Sequence, residues 1–176
     1  FKPVEVGTSV RIRADHHPCV PGFTHELVIT PRMAFGTGHH ATTRMMVQAM
    51  LGLADAGAEG RQSFDIKGKD ICDLGCGTGV LAILAEHMGA ATGRAIDIDQ
   101  AAVDNALVNI AHNDCHRITV EKGDADTLKG HTYDLILANI ERNVLLDAMP
   151  VMAAALRPGG ALFLSGFVVT DRHMLA

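Results

Sequence analysis

The sequence predicts an open, doubly wound α/β fold with a mainly parallel sheet, and three observations carry the prediction. Apolar stretches of strand length alternate with stretches whose apolar residues recur at helical spacing. Ile71-Cys72-Asp73-Leu74 runs into glycines on alternate positions, Gly75, Gly77 and Gly79, and then into Val80, Leu81, Leu84 and Met88 at helical spacing, which reads strand, tight turn, helix. Leu135-Ile136-Leu137-Ala138 is apolar at every position, as a central parallel strand covered on both faces should be. Alternating β and α units joined by right-handed crossovers build such a sheet.

A chain of 176 residues is long enough for one domain with a real core. Its 48% hydrophobic content, single Tyr, absent Trp and 20% charged residues describe an ordinary α/β protein. No apolar run approaches the roughly 18 residues of a membrane span, and no signal-like start is present, so a cytoplasmic protein is expected. The net charge is −5, with 15 basic against 20 acidic residues. That balance lacks the basic footprint of direct nucleic-acid binding. Cys19, Cys72, Cys76 and Cys115 form no CxxC pair, and reduced thiols are expected. The start at Phe1 and a helical-looking tail from Thr170 to Ala176 suggest a piece of a longer protein, cut at both ends.

Residues 1–30 carry two candidate strands, Val10–Arg13 and Glu26–Ile29, and read as a linker or lead-in hairpin ahead of the main domain at 31–176. His16, His17 and Cys19 between them lack answering ligands at zinc-like spacing, so no metal is expected. A glycine-containing loop, Met33 to Ala41, leads into a helix over Thr42–Leu53 with Met45, Met46, Ala49, Met50 and Leu53 as its inner stripe. Thr42 or Thr43 suits the helix cap. The loop itself reads equally as a plain connection or as a cover for a ligand.

Ala91–Ile98 is the next strand after the glycine turn. Asp97 at its carboxyl end lies about 20 residues beyond the turn, placed to accept from a ribose diol. Asp99 reads as the cap of a helix over Gln100–Asn113, with Ala102, Val103, Ala106, Leu107 and Ile110 inward. Ile118–Glu121 is a third strand, followed by Gly123-Asp124-Ala125. Asp124 there either reaches an adenine amino group or serves as a turn aspartate. Tyr133–Asn139 is the fourth strand, and its polar terminal amide faces the same crevice as the glycines. A helix over Val144–Leu156, kinked or restarted at Pro150, ends at Arg157-Pro158-Gly159-Gly160, and Ala161–Phe167 is the fifth strand.

Such a crevice suits a nucleotide-like ligand, because free N–H groups and a positive dipole end gather at the new helix. The dinucleotide fingerprint wants G-x-G-x-x-G/A, whereas here Gly75, Gly77 and Gly79 are more tightly spaced and Val80 takes the third fingerprint position. Asp73 also stands where phosphates would have to sit. An acidic residue there disfavours an anionic ligand and favours one carrying an ammonium and a sulfonium, which describes S-adenosylmethionine.

Asp73 to Gly79, Asp97 and Leu156-Arg157-Pro158-Gly159-Gly160 together resemble the Rossmann-like class I S-adenosylmethionine-dependent methyltransferases. Phe35-Gly36-Thr37-Gly38-His39-His40-Ala41-Thr42-Thr43, with Ala138-Asn139-Ile140 and Leu164-Ser165-Gly166-Phe167, is more specific. It resembles the bacterial PrmA family, which methylates ribosomal protein L-eleven (L11), and the resemblance runs from about Pro21 to the end. The resemblance implies that Thr43, Gly75, Asp97 and Asn139 contact the cofactor, with Asp73, Cys76, Gly77, Ile98, Asp124 and Ala125 around it. It implies that Phe35, Gly36, Thr37 and Gly38 close over the cofactor, and that Asn139 stands beside the incoming amine as the catalytic residue. It implies N-methylation of lysine or α-amino groups, an N-terminal substrate-recognition domain absent from these residues, and final sheet strands beyond Ala176. His39, Ala41 and Glu141-Arg142-Asn143 depart from the common pattern of the family. The alternatives are a class I methyltransferase of RNA or a small molecule, a nicotinamide oxidoreductase on the same fold, or a silent binding module.

Overall fold

The computed structural model describes residues 2–30, 41–55 and 65–166. The 33–40 part of the loop (Phe35 to Gly38, His39 and His40 included), Phe167 and the tail from Thr170 lie outside the described residues.

The main sheet has five parallel strands in the order β6-β5-β4-β7-β8. They are β4 (Asp70–Leu74), β5 (Thr92–Asp97), β6 (Ile118–Lys122), β7 (Tyr133–Asn139) and β8 (Leu156–Ser165). The helices are α1 (Ala41–Asp55), α2 (Val80–His87), α3 (Gln100–His112) and α4 (Arg142–Ala155). The chain starts at the central β4, steps outward to β5 and β6, then crosses back to β7 and β8. The reversal between β4 and β7 opens a crevice at their carboxyl ends. The doubly wound, mainly parallel sheet expected from the sequence is the one observed.

Alternate strand residues go to opposite faces. Ile71, Leu135, Leu137 and Phe163 pack with α1, α2 and α3, while Cys72, Ile136, Ala138 and Leu162 pack with α4. Both faces are covered, which is why 135–138 is apolar throughout.

The first 30 residues do not form the expected lead-in. They build a three-stranded sheet, β1 (Val4–Val6), β2 (Val10–Arg13) and β3 (His25–Val28), in that order. The hairpin is β1 with β2; β2 and β3, expected to be its two arms, run parallel. Val4, Val6, Val10, Ile12 and Leu27 join the same apolar cluster as α1 and α2, so the segment is packed core rather than linker. Cys19, weighed as a metal ligand, donates its thiol to Glu26 Oε2 at 2.6 Å.

Helix α3 holds the sheet's third strand with asparagines. Asn113 Oδ1 accepts from Val28 N at 2.8 Å, and its Nδ2 donates to Val28 O at 2.7 Å. Asn109 Oδ1 accepts from Thr30 N at 2.9 Å, and Asn105 Nδ2 donates to Thr30 O at 2.9 Å. Four residues of helix rise about 6 Å, close to two residues of extended chain, so an i, i+4, i+8 ladder matches alternate residues of a strand edge. Asn105 and Asn109 are buried for this purpose, whereas Leu107, expected inward, is 49% exposed.

Other differences have equally local causes. In α1 the buried stripe is Thr43, Met46, Val47 and Met50; Met45 and Ala49 face out. Helix α4 begins at Arg142 and runs through Pro150 as one helix. Pro150 is exposed, so the carbonyl freed by the ring can meet water. Arg157 to Gly160 belongs to β8 as an irregularity in its register against β7, with Arg157 Nη1 paired to Asp70 (2.8 Å) and Asp134 (2.9 Å).

Candidate functional site

The crevice is a cleft of about 430 Å³. Its floor is the turn between β4 and α2. Gly75 has φ 73° and Gly79, the residue before α2, has φ 79°, both in the left-handed region that glycine tolerates. Gly75 also sits so close to Ile140 that a Cβ there would overlap Ile140 Cγ2. The turn after β4 and the turn after β7 are therefore pressed together, and Gly166, after β8, abuts the Ile140 carbonyl in the same way.

Four backbone donors of this turn, those of Gly75, Cys76, Gly77 and Gly79, are already engaged. Gly75 N and Cys76 N both donate to Ile96 O (2.8 and 2.9 Å), and Gly79 N donates to Cys76 O at 2.8 Å. Gly77 N donates to Asp97 Oδ2 at 2.8 Å, and Ala82 N donates to Asp73 Oδ2 at 3.2 Å. An anion cradle needs such groups open. Here protein carboxylates and carbonyls occupy those of Gly75, Cys76, Gly77 and Gly79.

The walls are acidic. Asp73, Asp97 and Glu141 face the cleft, and no Lys, Arg or His is among its described lining residues. Asp73 is 1% exposed. Burial, followed by the neighbouring Asp97 charge, raises its pKa from 3.8 to about 7 against the lowering effect of the Ala82 amide. Asp97, at the carboxyl end of β5, is held by Gly77 N on one oxygen and by Asp99 N on the other at 3.0 Å. Each oxygen keeps a further lone pair for a ligand. Across the cleft, Asn139 Nδ2 donates to Thr43 Oγ1 at 3.1 Å, tying the end of β7 to the first turn of α1.

Of the residues singled out in the sequence, Thr43, Asp73, Gly75, Cys76, Gly77, Asp97, Ile98 and Asn139 all line this cleft. Phe35 to Gly38 lie outside the described residues. Asp124 and Ala125 are not on the lining. Asp124 Oδ1 accepts from Asp126 N at 2.9 Å and caps the single helical turn Ala125–Leu128. Thr43 lies within α1 rather than at its cap, and its hydroxyl serves Asn139. Sequence reasoning missed Val80, Leu81, Ile140, Glu141 and Val144 on the cleft wall. Glu141 and Val144 were open to detection, since they follow a polar residue at a central strand's carboxyl end, where crevice walls begin.

The described features match a known family along the whole chain. The sequence model described as Ribosomal protein L11 methyltransferase (PrmA) matches residues 1–176. Ribosomal protein L11 methyltransferase of Phocaeicola vulgatus is 45% identical over 172 residues, covering 97% of this chain and 57% of that protein. The same-named protein of Porphyromonas gingivalis is 44% identical over 176 residues, covering 99% and 57%. The chain thus spans 57% of the length of these curated relatives. The crystal structure of ribosomal protein L11 methylase from Lactobacillus delbrueckii subsp. bulgaricus superposes with a TM-score of 0.78 at 28% identity, over 99% of this chain and 85% of that one. The T. thermophilus 16S rRNA N2 G1207 methyltransferase (RsmC), solved in complex with AdoMet and guanosine, superposes with a TM-score of 0.61 at 25% identity, over 74% and 36%. With its parallel sheet, glycine turn and acidic crevice, the chain belongs to the ribosomal protein L11 methyltransferase (PrmA) family.

Proposed function

We propose that this chain is the methyl-transferring unit of an S-adenosylmethionine-dependent protein N-methyltransferase acting on lysine or α-amino groups of ribosomal protein L11. One observation carries the reading: the cleft presents carboxylates and no described basic side chain, while the amides of Gly75, Cys76, Gly77 and Gly79 are engaged internally. That donor set fits a ligand bearing an ammonium and a sulfonium and suits a pyrophosphate poorly. The family match and the AdoMet-bound relative support the same cofactor.

S-adenosylmethionine supplies, when bound, an electrophilic methyl on a sulfonium. Asp97, fixed by two backbone amides, is the group to hold a ribose diol. Asp73, inside the turn, is the counter-charge for the ligand's cationic end. The Gly75–Gly77 backbone admits the ligand close to the strand end. Asn139 turns its amide nitrogen to Thr43 and so offers its carbonyl oxygen to the N–H of an amine, aiming the nitrogen lone pair into the cleft. The amine must first lose a proton, since free lysine titrates near about 10.4. A preorganised polar site does the rest.

The substrate is read as L11 free or on the ribosome, in the cytoplasm, without direct nucleic-acid binding by these residues. No helix among the described residues is long and apolar enough to cross a membrane. The test is methyl transfer to purified L11 by the full-length protein and its Asn139→Ala variant. A fall in kcat of about a hundredfold, measured at saturating cofactor, is expected for an orienting amide. Turnover at the original rate would remove Asn139 from the mechanism.

A further inference from the structure

The mouth of the cleft carries two side chains that cofactor binding leaves unexplained. Glu141 precedes α4, and its Oε1 accepts from Asn143 N at 3.2 Å. Val144, three residues on and so on the same side of the first turn, is 54% exposed, one of few large apolar side chains left open to water among the described residues. Both line the cleft, beside Asn139 and Ile140. Exposure grades outward along this wall, from half-buried Asn139 to exposed Glu141 and Val144.

We infer that Glu141 and Val144 form the docking subsite for the alkylammonium side chain of the substrate, selecting an unbranched cationic residue of lysine type. The inference rests on the methyltransferase reading above and adds its substrate-side wall. A lysine has an apolar stem and a charged head, and it lies best along a surface that pairs an aliphatic group with a carboxylate one helical turn away. Val144 takes the methylenes and Glu141 attracts the ammonium on approach. The carboxylate belongs at the mouth, because an anion in contact with the reacting nitrogen would hold its proton on. Further in, the neutral carbonyl of Asn139 receives the amine after the proton has gone to solvent. Sorting therefore precedes deprotonation, and the two tasks fall to different residues.

The test compares two short peptides in full-length protein saturated with S-adenosylhomocysteine, one carrying a single lysine and one carrying norleucine in its place. Norleucine keeps the stem and loses the charge. The unsubstituted protein should bind the lysyl peptide about fivefold more tightly at low salt, the size of one exposed ion pair, and the preference should shrink on adding salt. Glu141→Gln, which keeps an acceptor for Asn143 N, should bring the ratio to about one and remove its salt dependence. Val144→Ser should weaken both peptides about threefold and leave their ratio intact. A ratio unchanged in Glu141→Gln, with S-adenosylhomocysteine bound normally, overturns the subsite and leaves the methyltransferase reading standing. Failure of the unsubstituted protein to bind S-adenosylhomocysteine overturns that reading, and the subsite with it.

Discussion

Asp73→Asn should make the ligand-free protein more stable and its cofactor site worse, and the trade should depend on pH. Asp73 is buried in the turn with its pKa raised from 3.8 to about 7. A raised acid binds its proton more tightly in the folded state than in the unfolded one. Its protonated form costs little below pH 3.8, and stability is lost progressively as pH rises from there to 7. About 3 units at 1.36 kcal/mol each put the full penalty near 4 kcal/mol above pH 7. Asparagine keeps the shape and an acceptor for Ala82 N, and burying its amide returns part of that gain. A net 2–3 kcal/mol corresponds to roughly 5–10 °C in Tm for a chain of this size. Scanning calorimetry from pH 4 to pH 8 should therefore show the variant ahead at pH 8 and about 1 kcal/mol behind the original near pH 4. S-adenosylmethionine should bind the variant at least about tenfold more weakly, from loss of a charge-assisted contact. In the original protein a cationic ligand lowers the Asp73 pKa and so releases protons near pH 7, which makes the binding enthalpy depend on buffer. Equal Tm differences at every pH, or unchanged cofactor affinity, would refute the electrostatic role of Asp73.

Two further substitutions probe the scaffold. Asn109→Ala removes the acceptor of Thr30 N and the donor to Thr78 O (both 2.9 Å), and should cost about 3 kcal/mol by urea unfolding with the sheet order retained. Gly75→Ala places a Cβ against Ile140 at a φ of 73°, so a loss of about 2 kcal/mol or more and a cofactor affinity reduced with it are expected by thermal shift and titration.

Local patterns carried the main sheet into view. Tyr133–Asn139 was legible residue for residue, because Leu135 to Ala138, buried on both faces, have no polar position to blur the pattern. Asp97 could be told from Asp99 by place alone, one ending a strand and the other preceding a helix, and Asp99 does cap α3 through Ala101 N at 3.0 Å. The asparagine ladder was hidden because periodicity scores asparagine as polar and turns it outward, while its partners lie about 80 residues away and exist only once the chain has folded. Strand β1 was too short at 3 residues to stand out, and the parallel pairing of β2 with β3 is a tertiary fact that no local pattern encodes. Asp124 shows the limit at the site itself. A strand-end aspartate before a turn reads the same whether it meets a ligand or caps its own turn, and the side-chain bond to Asp126 N engages one oxygen only.

The central claim is that the acidic crevice between β4 and β7 takes a sulfonium cofactor and not a dinucleotide. Calorimetric titration of the full-length protein with S-adenosylmethionine and, in parallel, with NADH tests it most directly, with Asp97→Ala as the control. The account predicts one site for S-adenosylmethionine, weakened at least about tenfold by Asp97→Ala, and no binding of NADH. Binding of NADH alone, or S-adenosylmethionine affinity indifferent to Asp97, would contradict it.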